Sequence, residues 1–471
     1  MEMLKTEERS VTRDSALPSN GSYPPPDTLR RTYDDTDLSR AVASYRFFYP
    51  TVSGLAQWKG QLKAGLVPNA IFAVLDIQPR HVGFTLNSDT CYGMIPLDLR
   101  AGPVVLEVPP GPLMVVATDV NQRWVADMGL PGPDRGQGGR HLLLPPGYRS
   151  SVPAGHHVAT STTSKVLVSA RALPGDSGAK GALDLIRGIK LRPLAPVASW
   201  SEPKWIDLTE KPLDITPLGL ESNIGFWKVL HEAIDSEPPF DGYQAYYGEV
   251  AALGISKGQP FTPDARAVRL LEEAARIGKT ALCAQSFADR RLDRMVWSDR
   301  KWEWPALRFE NGDFIASTHL DLEAREKWFF QAIGASPALM RRQPGSGSLN
   351  WLATRDRRDL YLDGGKSYRL TVARPVPCQR FWSVTVYDAA TRSQIQTAQG
   401  KAALRSRVEL AGGDSQPADL HFGPQAPAGK EKTWIQTTPG RGWFAYLRLY
   451  SPDKAAFDGS WKPGDIEPSS V

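Results

Sequence analysis

The sequence carries one ordered set of cues twice, first in residues 98–171 and again in residues 363–448. Each copy contains a glycine turn, a short apolar strand, an Asp-x3-Arg motif, a Pro-x-Gly turn, a Thr-Thr pair and a final arginine. The paired residues are Asp119 and Asp388, Arg123 and Arg392, and Arg171 and Arg448. The copies are offset by 269 residues at the motif (388 minus 119) and by 277 at the final arginine (448 minus 171). The offset changes by only a few residues, as expected if the loops of the two copies differ slightly in length. The repeat therefore predicts two related β domains with a site at their junction.

Composition narrows the class of protein. With 471 residues, 41 Gly and 39 Pro, the chain favours two to three domains built from short strands and many turns. A formal net charge of +5 is small for this length, so we expect no nucleic-acid partner. Three scattered cysteines predict reduced thiols. Neither a secretory signal nor an apolar run of about 20 residues is visible, which predicts no membrane span and a cytoplasmic location.

The cues divide the chain into four parts. We predict a disordered tail at 1–32, an N-terminal β domain with leading helices at 33–204, a helical insert at 205–339 and a C-terminal β domain at 340–471. The fold class is therefore mainly β with a helical insert. Its two tandem domains are jelly-roll-like or β-sandwich-like and are joined by an α-helical region, because short apolar runs closed by Gly or Pro are typical of such domains.

Helix signals mark the insert. A hydroxyl, a proline and an acid at Thr262-Pro263-Asp264 predict a helix start. Apolar residues then recur at helical spacing up to Gly278, which we expect to end the helix as a C′ glycine. Further helices are predicted over 226–233 and 320–333. Trp297, Trp302, Trp304 and Trp351 suggest an aromatic seam between the domains.

Two strands of the second β domain combine a core face with a polar and aromatic face. In the strand 381–388, alternation places Trp382, Val384 and Val386 on the core face, and the opposite face carries Ser383, Thr385 and Tyr387. The strand 444–450 repeats the pattern, with Tyr446, Arg448 and Tyr450 on the polar face. Such a face meets either water or a wet cavity.

The chain also resembles a known bacterial family. The residues that carry the resemblance are Asn87–Tyr92, Leu97–Pro103, Glu107–Pro109, Tyr368–Leu370, Phe381–Asp388, Thr437–Gly440 and Arg448–Pro452. That family is catalogued only as paired domains of unknown function 1254 and 1214. The resemblance covers nearly all of residues 40–465, and implies tandem jelly-roll-like domains around a helical segment, a soluble homo-oligomer and a largely unassigned activity.

Candidate site residues come from the polar runs. We assign acid–base roles to Asp89, Tyr92 and Tyr387, since a positioned carboxylate or phenol can exchange a proton with a substrate. The predicted substrate-binding residues are Asn87, Thr385, Arg392, Tyr446 and Arg448. A guanidinium can hold a carboxylate through two parallel hydrogen bonds. The structural alternatives are turn formation by Asn87 and Asp89, and a local ion pair within each Asp-x3-Arg motif.

No metal or cofactor motif stands out. The seven histidines form no HExxH motif, and His319 and Asp321 are two possible ligands at strand spacing. We predict neither an organic cofactor nor a metal, with a divalent metal as the alternative. We therefore favour an enzyme, a hydrolase or lyase acting on a small, partly apolar molecule between the β domains. The alternative function is non-catalytic binding of a carbohydrate or lipid-like ligand.

Overall fold

The computed structural model describes residues 24–469 apart from 176, 309, 311, 346 and 412–415. The N-terminal half contains α1 (Pro26–Lys63), β1 (Ile71–Asp76), β2 (His81–Val82), β3 (Cys91–Asp98), β4 (Val104–Val108), β5 (Leu113–Asp119), β6 (Trp124–Gly129), β7 (Gly139–Leu144), β8 (His157–Thr160), β9 (Lys165–Ala172), α2 (Gly178–Arg187), β10 (Lys190–Pro193), β11 (Lys204–Asp207) and β12 (Leu213–Asp214). The middle contains α3 (Ile224–Ser236), α4 (Gln244–Ala251), α5 (Ala265–Phe287), α6 (Leu322–Gln331) and α7 (Pro337–Met340). The C-terminal part contains β13 (Ser348–Ala353), β14 (Tyr368–Val372), β15 (Cys378–Asp388), β16 (Ala403–Arg405), β17 (Ala418–Gly423), β18 (Trp434–Gln436), β19 (Trp443–Pro452) and β20 (Ile466–Pro468).

The N-terminal domain is a sandwich of two sheets. One sheet has the strand order β11-β1-β3-β9-β5-β6 and the other the order β10-β4-β7-β8. Alternating apolar side chains of both sheets, among them Val74, Leu106 and Val115, meet in one buried core. The extra strands β1 and β11 extend only the first sheet.

The C-terminal domain is a second sandwich, with sheets β13-β19-β15-β16 and β20-β14-β17-β18. Trp302 and Trp351 lie fully buried in its core, where Trp297 and Trp304 pack against them. The predicted aromatic seam is thus the interior of one domain, because these rings fill the space between its two sheets.

The two sandwiches share one topology. Strands β3 to β10 correspond in order to β13 to β20, and the parallel pair β7 with β8 of one sandwich corresponds to the parallel pair β17 with β18 of the other. The registers agree as well, since Arg171 pairs with Met114 and Arg448 pairs with Ser383 at matching positions. The structure therefore supports the repeat seen in the sequence. The parallel pairs depart from the all-antiparallel order of a jelly roll, so β-sandwich is the accurate term.

Helices contribute as much as strands. Helices hold 28% of the residues and strands 27%, so the fold is mixed, with β-rich domains, instead of mainly β. The main reason is α1, which spans 38 residues and packs with α3, α5 and α6. Helix α1 begins at Pro26, inside the stretch assigned to the tail, whereas residues 1–23 lie outside the described residues.

The insert helices follow the sequence signals with two corrections. Helices α3 and α6 lie where they were expected. The N-cap of α5 is Asp264 and not the hydroxyl of Thr262, and the Asp264 carboxylate accepts a hydrogen bond of 2.8 Å from the Ala267 amide. Helix α5 does not end at Gly278 but continues to Phe287. A Cβ at Gly278 would lie 2.4 Å from Cδ1 of Tyr45, so this glycine allows α5 to approach α1 closely.

Candidate functional site

A cavity of about 690 Å³ lies between the two sandwiches. The N-terminal wall comes mainly from β3, β5 and β9, and the C-terminal wall from β13 and β19. The loop 84–87 and the segment 332–345 contribute other sides. This volume is in the usual range for small-molecule sites. Because β3 and β9 correspond to β13 and β19, both walls use equivalent strands of the repeat.

The final arginines of the repeat both line this cavity. Arg171 lies on β9 beside Tyr92 of β3, and Arg448 lies on β19 beside Asn350 of β13. The duplication has therefore placed the same residue type at the same position of each wall.

Arg448 is a buried cation, with only 5% of its surface exposed. Its Nη2 donates to the carbonyl oxygen of Thr85 at 3.2 Å, and its Nη1 has no hydrogen-bond partner among the described residues. The guanidinium carbon lies 4.8 Å from the ring centre of Tyr446 and 5.5 Å from that of Tyr387. Burial alone would lower the pKa of Arg448, but the neighbouring Tyr387, Tyr450 and Asp89 raise it overall, so the side chain stays charged.

Positive charge dominates the lining. The arginines that line the cavity are Arg135, Arg171, Arg341, Arg380 and Arg448. Within the described part of the chain, none of the five has a carboxylate oxygen within 4.0 Å. The acidic lining residue is Asp127, and burial raises the pKa of its carboxyl group. Such an excess of unpaired guanidinium groups favours an anionic ligand.

Apolar side chains share the same space. Those of the N-terminal wall and the adjacent segments are Phe84, Leu86, Met114, Val116, Leu130, Leu167, Leu173, Ile333 and Leu339. The cavity can therefore hold an apolar body beside a charged group.

Asp89 lies behind the cavity wall. Its Oδ2 accepts hydrogen bonds from Ser383 Oγ at 2.7 Å and from the Tyr450 hydroxyl at 2.9 Å, and of these three residues only Tyr450 lines the cavity. The side chain of Asn87 accepts from the amides of Asp89 and Thr90 at 2.9 and 3.2 Å. These contacts confirm the turn interpretation of the segment, and they join this loop to the C-terminal sheet.

Tyr387 and Thr385 also lie outside the cavity lining, contrary to the prediction. Tyr387 is fully buried, and its hydroxyl donates to the carbonyl oxygen of Leu86 at 2.7 Å. Burial raises the pKa of Tyr387, although Arg448 lowers it in part. Thr385 is likewise fully buried. The polar face was identified correctly, but the loop 84–87 covers this part of it, so an acid–base role for Tyr387 does not fit.

Arg392 does not reach the cavity either. Its Nη2 contacts Glu221 Oε1 at 2.6 Å, and its guanidinium lies between the rings of Phe84 and Phe330, at 4.4 and 4.2 Å. Glu221 also binds Lys279 at 2.9 Å and accepts from the Tyr49 hydroxyl. The predicted anion anchor is thus part of a buried ionic cluster. The prediction failed because the alternation of side chains along β15 ends with the strand at Asp388 and does not determine the direction of Arg392.

The Asp-x3-Arg motifs stabilise turns without a local ion pair. Asp119 accepts from the Arg123 amide at 2.8 Å, while the Arg123 guanidinium lies 3.6 Å from the ring centre of Phe240. Asp388 accepts from two amides of its turn and pairs with Arg441. The aspartates have the predicted structural role, but the predicted arginine partners were wrong.

Four of the predicted residues line the cavity, namely Asn87, Tyr92, Tyr446 and Arg448. The Tyr92 hydroxyl accepts from Asn87 at 2.9 Å, and the Tyr446 hydroxyl donates to Gln331 at 2.6 Å. Sequence reasoning missed Arg171 as a site residue, although the repeat that pairs it with Arg448 was the signal that could have found it.

A smaller cavity of about 190 Å³ lies between α1 and the insert. Its lining is mostly apolar and includes Phe48, Ile234, Pro238 and Val250.

Among the described residues, no group of three or more His, Cys, Asp or Glu could hold a metal ion. None of the described helices combines the length and the apolar character that crossing a bilayer requires.

Comparisons with known proteins agree with this architecture. A family model described as a protein of unknown function, DUF1254, matches residues 73–193, and another of the same description, DUF1214, matches residues 347–454. The chain therefore matches both of the paired domains, one in each half of the sequence, as the resemblance implied. The matches fall on the N-terminal and C-terminal sandwiches respectively. None of the curated proteins matches the chain.

Two solved structures resemble it. The VPA0106 protein from Vibrio parahaemolyticus is 16% identical with a TM-score of 0.55, over 92% of this chain and 100% of that one. An uncharacterized protein from Burkholderia cenocepacia is 10% identical with a TM-score of 0.41, over 94% and 97%. The first of these shows the fold and carries no information on activity. Cytoplasmic location and homo-oligomerisation stay predictions.

Proposed function

We propose that this protein binds a small, partly apolar anion, such as a carboxylate, in the cavity between its two sandwiches. The observation that supports the proposal best is Arg448, a buried guanidinium in the cavity wall with an unused donor and no carboxylate partner among the described residues. A buried charge is costly unless it is paired, so an anionic group of a ligand would supply the missing partner. Arg171 adds a second guanidinium to the same cavity.

The apolar residues of the lining indicate the chemistry of the uncharged part of the ligand. Met114 and Val116 alternate with core residues along β5, so their side chains point out of the sandwich and line the cavity. Burying hydrocarbon contributes about 25 cal/mol for each Å² removed from water. A lipid-like or aromatic acid would use both kinds of contact, whereas a carbohydrate would leave the arginines unpaired.

The second candidate is a hydrolase or lyase that acts on the same class of ligand. Tyr450 favours it, because this residue lines the cavity and its hydroxyl donates to the buried carboxylate of Asp89. Burial, and after it Asp89, raise the pKa of Tyr450, so the phenol keeps its proton and could not act as a base at neutral pH. It could stabilise a developing oxyanion only by redirecting to it the hydrogen bond that it donates to Asp89.

Calorimetric titration with decanoate and with decanol tests the binding proposal. We expect the acid to bind at least about tenfold more tightly than the alcohol, because a hydrogen bond to a charged group contributes about 1.5–3 kcal/mol. Arg448→Met should remove most of that difference. Arg149→Met, which changes an exposed arginine outside the cavity lining, is the matched control and should bind like the unmodified protein.

Equal affinity for decanoate and decanol, or undiminished binding of decanoate by Arg448→Met, would contradict the proposal. Recovery of the bound acid by mass spectrometry separates the two candidates. Unchanged decanoate and unchanged decanoyl esters after incubation support simple binding, whereas turnover of the esters supports the enzyme.

A further inference from the structure

The final arginine of the sequence repeat lines the cavity in both of its copies. Arg171 and Arg448 hold the same register position on the central strands β9 and β19, one in each wall. Neither pairs with a carboxylate of the described residues within 4.0 Å. A site for one acidic group needs only one such side chain, so the second arginine calls for its own explanation.

Arg171 and Arg448 enter the cavity from its two walls, on β9 and β19 respectively. Five arginines and one acidic residue, Asp127, line the described cavity. A single carboxylate would therefore leave most of the guanidinium charge of the lining without an anion.

We propose that the natural ligand is a dianion, a dicarboxylic acid with an apolar middle, whose two acidic groups pair with Arg171 and Arg448. The inference rests on the proposed function and narrows its ligand class. The apolar residues of the cavity, such as Met114 and Ile333, contact the hydrocarbon between the two groups. Each end then forms charge-assisted hydrogen bonds, which are about twice as strong as neutral ones.

Matched series of acids test the inference. Calorimetry compares the monocarboxylates from butanoate to dodecanoate with the dicarboxylates of the same chain lengths, on the full chain and on three variants. We expect the best dicarboxylate to bind about 10- to 100-fold more tightly than its monocarboxylate, the range that one added charged hydrogen bond provides. Arg171→Met should abolish this advantage while it retains binding of the monocarboxylate. Arg448→Met should weaken both series, and Arg149→Met should change neither.

Each contrary result has a distinct meaning. Equal affinity for both series in the unmodified protein would overturn the dianion and leave the proposed function intact. Equal weakening of both series by Arg171→Met would also overturn it, because the two arginines would then hold one acidic group together. Binding of neither series would overturn the proposed function, and the dianion with it. Thermal unfolding of each variant verifies that its fold is retained.

Discussion

Replacing Glu221 with glutamine is expected to lower the free energy of unfolding by about 3–5 kcal/mol, because it leaves a buried guanidinium without its counter-charge. Glu221 and Arg392 are both fully buried and lie 2.6 Å apart. Arg392 is enclosed by the rings of Phe84 and Phe330, so water cannot replace the lost carboxylate. The pair also joins the segment before α3 to the turn after β15, so its loss should loosen the insert from the C-terminal sandwich.

Urea denaturation followed by tryptophan fluorescence measures this effect. Glu210→Gln is the matched control, since it breaks the exposed pair between Arg80 and Glu210 and should cost at most about 1 kcal/mol. The double variant Glu221→Gln with Arg392→Met should lose less than the sum of the two single variants, because it removes both charges together. Similar losses of unfolding free energy in Glu221→Gln and Glu210→Gln would show that the buried ion pair stabilises the protein no more than the exposed pair does.

Gly278→Leu should lower the free energy of unfolding by about 3 kcal/mol, because its side chain must enter a filled core. A Cβ at this position would lie 2.4 Å from Cδ1 and 2.8 Å from Cγ of Tyr45. Tyr45 cannot move aside easily, since its ring stacks on Phe226 with centres 4.0 Å apart and its hydroxyl donates to the Glu221 carbonyl oxygen at 2.8 Å.

Gly248→Leu is the control for helix propensity. Gly248 lies within α4 and is exposed, and a Cβ at this position would extend into open space. Leucine should therefore stabilise the protein by about 0.5–1 kcal/mol. Denaturation of both variants checks the comparison. A stabilised Gly278→Leu protein would mean that α1 and α5 are not packed as closely as described.

Much of the fold could be predicted from the repeat. The matching offsets predicted two related β domains, and their strands share one order and one register. Alternation within β19 predicted that Tyr446 and Arg448 share a polar face, and both line the cavity. These inferences succeeded because they rest on the period of a strand and on a topology that duplication copies.

The rest depended on contacts between distant segments. Tyr387 lies on the predicted face of its sheet, but the loop 84–87 from the other domain covers it. Arg392 follows the end of β15 with φ of 55°, so its direction could not be read from the alternation of the strand. Gly278 resembled a helix terminus because its packing partner, Tyr45, is more than 200 residues away in the sequence.

The position of a bound acid tests the central claim most directly. Crystals grown with a bromine-labelled decanoate would locate the bromine by its anomalous scattering and the carboxylate by its density. We expect the carboxylate within hydrogen-bond distance of Arg448 or Arg171, and the bromine beside the apolar residues of the same cavity. A ligand found instead in the smaller cavity beside Phe48, or on an outer surface of either sandwich, would contradict an anion site between the two repeats.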